Sequence, residues 1–257
     1  MIRGSLGALG LVLLAGGVLG AEALHAAKRT YLLGESAPPI DGTFIARVPV
    51  THTTLRLMMI GDSTAAGVGA SVTTGTVGGH LATLLSESGI STHLASVAVS
   101  GSRARDLGPQ VSRALLAKPN LAVILIGAND ATHLSSLGAL RTDIGEAVDR
   151  LRAAGIEVVV GTCPDLDAAF AFMQPLRSIA GWQGRRVART ERALLRGRGV
   201  FAVDIAHATG PTIKSDPARY LSVDRLHPND EGYGLFAAAL LGPVRQLALE
   251  LMPEPVS

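Results

Sequence analysis

The sequence predicts a three-layer α/β/α sandwich built on a central parallel sheet of about five strands. Three observations lead there. At 257 residues the chain is long enough for one sizeable α/β domain, and 47% of it is hydrophobic, more than a disordered polymer carries. Short apolar runs alternate along it with longer segments of helical spacing. The runs are continuous, Leu121-Ala-Val-Ile-Leu-Ile126 being the clearest, as a sheet covered on both faces requires.

Leu6 to Ala21, preceded by Arg3, is uncharged and made almost wholly of Leu, Val, Ala and Gly. A run of about 16 residues is long for a signal core and short for a membrane span of about 20, so residues 1–27 are expected to be an export signal or a membrane anchor. Ala21-Glu22-Ala23 offers a small-x-small cleavage site, while Lys28 and Arg29 blur the orientation signal of Arg3. Residues 28–53, with Pro38, Pro39, Gly42 and Pro49, read as a linker or an arm on the domain surface. The globular domain is expected over 54–251, with a tail at 252–257. Within it, strands are predicted at about 55–60, 94–99, 121–126, 156–161 and 200–203, and helices near 75–89, 104–117, 135–154, 177–197 and 230–250.

Composition narrows the function. A net charge of only +2 with scattered arginines lacks the footprint of a nucleic-acid binder, and 4% aromatics leave little for a stacking platform. Cys163 is the only cysteine, which excludes an intramolecular disulfide and a cysteine zinc cluster; at the end of an apolar run it is expected to be a small buried hydrophobe. His52, His80, His93, His133 and His207 have no companion at a ligand-like spacing, so no metal or cofactor is expected.

Open parallel sheets bind ligands at the carboxyl ends of their strands. Four loops there carry unusual polar residues: Gly61-Asp62-Ser63-Thr64, Ser100-Gly101-Ser102, Gly127-Ala128-Asn129-Asp130 and Asp224-Arg225-Leu226-His227. A serine hydroxyl needs a positioned base, and the base an acceptor on its other nitrogen. His227 and Asp224, three residues apart on one loop, can supply both to Ser63, with Pro228 disfavouring α geometry at His227. Acyl transfer also needs donors for an oxyanion. The backbone N–H groups of Ser63 and Gly101 and the side-chain amide of Asn129 can provide them, glycine allowing close approach to its backbone. Asp62 and Asp130 are expected to cap or brace their loops. His133 stands near enough in sequence to meet a substrate. Phe170, Phe172, Met173 and Trp182 could line an acyl pocket, core packing being the expected role.

These motifs resemble the SGNH subgroup of GDSL hydrolases: Gly61-Asp62-Ser63, then Gly101, then Gly127-x-Asn129-Asp130, and Asp224-x-x-His227-Pro228, in order over roughly residues 55–240. Thr64 stands where many members carry leucine. The resemblance implies a flavodoxin-like sandwich and a serine esterase, with Ser63, Asp224 and His227 catalytic and Ser63, Gly101 and Asn129 forming the oxyanion hole. The expected substrate is a small-molecule, lipid or glycan ester with a short acyl chain, the protein being secreted or held at the membrane by its N-terminal segment. An α/β-hydrolase is disfavoured because Gly61-Asp62-Ser63-Thr64-Ala65 lacks the last glycine of G-x-S-x-G. An O-acyltransferase on the same fold shares every residue of the site, and a catalytically silent envelope protein that binds carbohydrate or lipid is the alternative from another class.

Overall fold

The computed structural model describes residues 17, 22, 31–32, 37–50 and 53–251. Most of the expected export or anchor segment, and the whole C-terminal tail, lie outside them. The elements in chain order are β1 (Asp41–Phe44), β2 (Leu55–Gly61), α1 (Ser63–Ala66), α2 (Val77–Glu87), β3 (Thr92–Ser96), α3 (Leu107–Ala117), β4 (Leu121–Leu125), α4 (Ala128–Thr132), α5 (Leu137–Ala153), β5 (Glu157–Gly161), α6 (Leu176–Leu195), β6 (Phe201–Val203), α7 (Ile205–Ser215), α8 (Pro217–Tyr220) and α9 (Asp230–Glu250). All five expected strands and all five expected helices are present, with ends displaced by a few residues.

The sheet runs β1-β3-β2-β4-β5-β6, parallel throughout except for β1, which pairs antiparallel with β3. The strands are buried on both sides because successive side chains serve opposite faces. Leu57 and Met59 of β2 join Leu121 and Val123 of β4 in the core under α2, α7 and α9. Met58, Ile60, Ala122 and Ile124 belong to the opposite core under α3, α5 and α6. The result is the three-layer α/β sandwich that the apolar runs predict, with a sixth strand at its edge.

Two departures matter for the site. The segment expected to be a linker or arm carries an edge strand: Asp41 to Phe44 pair with Ala95 to Thr92. And α7 and α8 fill the stretch before the Asp224 loop, where no helix is expected; Pro211 lies inside α7.

The chain leaves β2 for β3 on one side and returns to β4 on the other, so their loops part at the carboxyl end of β2. Such a switch point is where open α/β sheets hold ligands. Three of the four polar loops emerge there.

Candidate active site

Ser63 opens α1 directly after β2. Gly61 makes the turn possible: at φ +138 its missing Cβ would stand 1.8 Å from the Leu125 carbonyl oxygen, so no other residue fits. Asp62 caps the helix, its Oδ1 accepting the Thr64 N–H at 2.9 Å. Burial pushes its carboxyl up to about 6, against the pull of that bond. The buried Gln110 side chain holds the turn from below. It accepts the Gly61 N–H at 2.8 Å and donates to the Gly61 carbonyl and to Ser102 Oγ, each at 3.0 Å.

The loop before α9 supplies the partner groups. Leu221 bridges Pro228, and the Ser222 N–H donates to the His227 carbonyl at 2.8 Å, closing the 222–227 loop at its base. Asp224 organises its interior: Oδ1 accepts from Ser222 Oγ at 2.8 Å, the Leu226 N–H at 2.9 Å and the His227 N–H at 3.0 Å. Oδ2 faces His227 Nδ1 at 2.7 Å and also accepts the Leu32 N–H at 3.2 Å. Partial burial works to raise the Asp224 pKa, but the hydrogen bonds from His227 and Leu226 outweigh it and hold the carboxyl well below its ordinary value. An ionised carboxylate only accepts, so Nδ1 carries the imidazole proton and Nε2 is left as an acceptor. Ser63 Oγ lies 3.0 Å from Nε2. The serine hydroxyl can therefore hand its proton to the imidazole, which sits on a carboxylate suited to the charge that results.

The candidate oxyanion donors are arranged around this pair. Ser63 is the first residue of α1, so its N–H has no carbonyl to bond within the helix. Gly101 adopts φ +81 with open space where a Cβ would stand. Asn129 Nδ2 donates one hydrogen to the Ser102 carbonyl at 3.1 Å, which ties the Asn129 and Gly101 loops together and leaves its second hydrogen available. Asp130 braces the same pair of loops, accepting the Ala104 N–H at 2.9 Å.

Ser63, Asn129 and His227 line a cavity of about 480 Å³ whose walls include Phe172, Ile213, Leu226 and Phe236. Gly101 is on the adjoining loop and Asp224 lies behind the imidazole. His133 does border this cavity, its Nδ1 2.9 Å from the Asn129 carbonyl oxygen. The aromatic and methionine residues divide. Phe172 lines the cavity and Phe170 is packed beneath the guanidinium groups of Arg177 and Arg225. Met173, in the stretch before α6, and Trp182, within α6, are 58% and 50% exposed, contrary to the expectation of core packing. Cys163 is buried, as expected. Among the described residues no cluster of three or more His, Cys, Asp or Glu could hold a metal, and no helix is long and apolar enough to cross a membrane.

Three contributors escape sequence reasoning. Gln110 was detectable as a polar residue on the buried stripe of α3, between Leu107 and Val111. Glu191, wholly buried on α6, accepts the Cys163 N–H at 2.7 Å and stands beside Gly127, which starts the Asn129 helix. It looks like one more charge on an arginine-rich helix. Leu32, 192 positions from Asp224, carries no local signal at all.

Residues 59–235 match the model of the GDSL-like lipase/acylhydrolase family. The chain is 36% identical over 205 residues to the GDSL-like esterase Rv1075c of Mycobacterium tuberculosis, a match that takes in 79% of this chain and 65% of that protein, just under two thirds of its length. Among solved structures it is similar to TesA (TM-score 0.61, 18% identity, 75% of this chain and 99% of the other). It is similar also to a lipase/acylhydrolase from Enterococcus faecalis (0.61, 14%, 80% and 100%) and to the acetylxylan esterase Axe2 from Geobacillus stearothermophilus (0.57, 20%, 80% and 100%). At these identities the three structures bear on the fold alone, which they share.

Proposed function

This chain belongs to the GDSL-like lipase/acylhydrolase family, and on that premise we propose that it is a serine carboxylic ester hydrolase working through an acyl-enzyme. The observation that carries the reading is the alignment of Ser63 Oγ, His227 Nε2, His227 Nδ1 and Asp224 Oδ2 through contacts of 3.0 and 2.7 Å. Ser63 Oγ attacks the ester carbonyl as its proton passes to Nε2. The carbonyl oxygen, now negative, takes hydrogen bonds from the Ser63 and Gly101 N–H groups and the Asn129 amide. The imidazolium returns its proton to the departing alcohol, leaving an acyl group on Ser63. Water then repeats the sequence, giving up a proton to Nε2, and the carboxylic acid leaves as Oγ recovers its hydrogen. Asp224 stays ionised throughout and keeps the imidazole in one orientation.

The proposed substrates are esters with short acyl chains. The cavity beside Ser63 is larger than an acetyl group needs and is lined mostly by apolar side chains. Each methylene buried there adds about 0.8 kcal/mol, so butyrate should exceed acetate. Polar residues, among them Asp165, Thr209 and Thr132, also line the cavity, and burying them against a long apolar chain without hydrogen-bond partners would cost free energy. Export through the apolar stretch from Leu6 to Ala21 remains part of the proposal.

The test is labelling by a fluorophosphonate probe together with hydrolysis of a p-nitrophenyl ester series. Labelling should require Ser63 and His227, and Ser63→Ala and His227→Ala should each abolish nearly all turnover without adding to one another. A folded Ser63→Ala protein with full activity would defeat the reading. A rate climbing steadily from acetate to long-chain esters would defeat the short-chain preference alone.

A further inference from the structure

The arm that precedes the domain reaches the site at two consecutive residues. Tyr31 lines the same cavity as Ser63 and His227, and the Leu32 N–H donates to Asp224 Oδ2. Among the described residues, every other hydrogen bond to Asp224 comes from within its own loop, from residues 222, 226 and 227. Leu32 is thus a donor brought to Asp224 from a distant part of the chain. A carboxylate oxygen has two lone-pair directions. On Oδ2 one serves His227 Nδ1 and the other Leu32, so the arm fixes the rotation of the oxygen that orients the imidazole. The neighbouring Tyr31 lines the space beside Ser63 and His227 in which an ester can lie.

We propose that Tyr31 and Leu32 are working parts of the esterase site, Leu32 a positioning residue acting through its backbone N–H on Asp224 and Tyr31 a specificity-determining residue at the cavity wall. The inference rests on the reading of Ser63, His227 and Asp224 as a triad. It ties the arm to catalysis, beyond its expected part as a linker or an arm on the domain surface. The Leu32 N–H draws charge from Oδ2; without it the carboxylate pulls harder on the Nδ1 proton and on the imidazolium. The pH at which kcat/KM reaches half its maximum should then rise, and the downfield Nδ1–H proton resonance of His227 should move further downfield.

The experiment uses the full chain with three substitutions. Leu32→Pro removes the N–H and should lower kcat/KM for p-nitrophenyl butyrate about tenfold, the size expected for one charge-assisted hydrogen bond, while displacing both the pH profile and the resonance. Leu32→Ala retains the N–H and should retain the profile and the resonance position. Tyr31→Ala should change the ratio of kcat/KM for octanoate and butyrate esters by about tenfold, through loss of one wall. If Leu32→Pro lowers only thermal stability and moves neither profile nor resonance, the positioning role is overturned; an unchanged ratio in Tyr31→Ala overturns the specificity role. The resonance needs no turnover. Failure of the unsubstituted chain to react with a fluorophosphonate would therefore count against the esterase reading, and the resonance would still decide whether Leu32 acts on Asp224.

Discussion

Replacing Glu191 with glutamine should change how the stability of this protein depends on pH. Glu191 is wholly inaccessible to solvent; Oε2 accepts the Cys163 N–H, and Oε1 has no hydrogen-bond partner among the described residues. Burial is the main cause that pushes its carboxyl from the ordinary 4.5 up to about 8, with the nearby Asp130 and Asp62 raising it further and the Cys163 N–H opposing. The unfolded chain releases this proton near 4.5 and the folded protein keeps it until about 8. Stability from this group is therefore fully present below pH 4.5 and is lost as pH rises through 8, at about 1.4 kcal/mol per pH unit and roughly 5 kcal/mol across the window. Glu191→Gln has no proton to lose. Its stability relative to the unsubstituted protein should therefore improve by about 4 kcal/mol between pH 5 and pH 8, or roughly 10 °C in Tm for a domain of this size. Urea or thermal unfolding of both proteins at pH 5 and pH 8 measures this directly. Parallel pH dependence in the two proteins would refute the reasoning, since it would mean that the carboxylate ionises in place at little cost.

Two further outcomes follow from the same geometry. Asn129→Ala should lower kcat by about a hundred- to a thousandfold with little change in KM, as expected for loss of one oxyanion donor; steady-state kinetics on p-nitrophenyl butyrate measures it, and full activity would remove Asn129 from the oxyanion hole. Gln110→Leu leaves the Gly61 N–H without a partner beneath the Ser63 turn, while the Gly61 carbonyl keeps the Val99 N–H, at a cost of about 2 kcal/mol, and thermal unfolding should show a Tm lower by roughly 4 to 8 °C.

What the sequence discloses depends on how local the physical signal is. The central strands were legible because a strand buried on both faces must be apolar at every position, and Leu121 to Leu125 are all buried. Ser63, Asn129, Asp224 and His227 were legible because each lies in a short string whose residue types have a chemical reason to be neighbours. β1 was hidden. Asp-Gly-Thr-Phe is short, sits at an edge and is only half-buried, so no apolar run betrays it. α7 was hidden for the opposite reason: Gly210 and Pro211 look like helix breakers, yet Gly210 is needed where the helix crosses the Asp165 side chain, which lies 2.8 Å from where a Cβ would stand.

The supports of the site were least legible, and the reason is geometric. Gln110, Glu191 and Leu32 each hold a backbone group or side chain far away in sequence: Gly61, Cys163 and Asp224 respectively. None needs a particular neighbour along the chain, so none leaves a motif. Their order of visibility follows their contrast with local surroundings. Gln110 interrupts an apolar stripe, Glu191 blends into a charged helix, and Leu32 acts through a backbone N–H that almost any residue except proline would supply. The side chains proposed for the chemistry can thus be read from one chain, while the groups that hold them at 2.7 and 3.0 Å emerge only when the fold brings distant segments together.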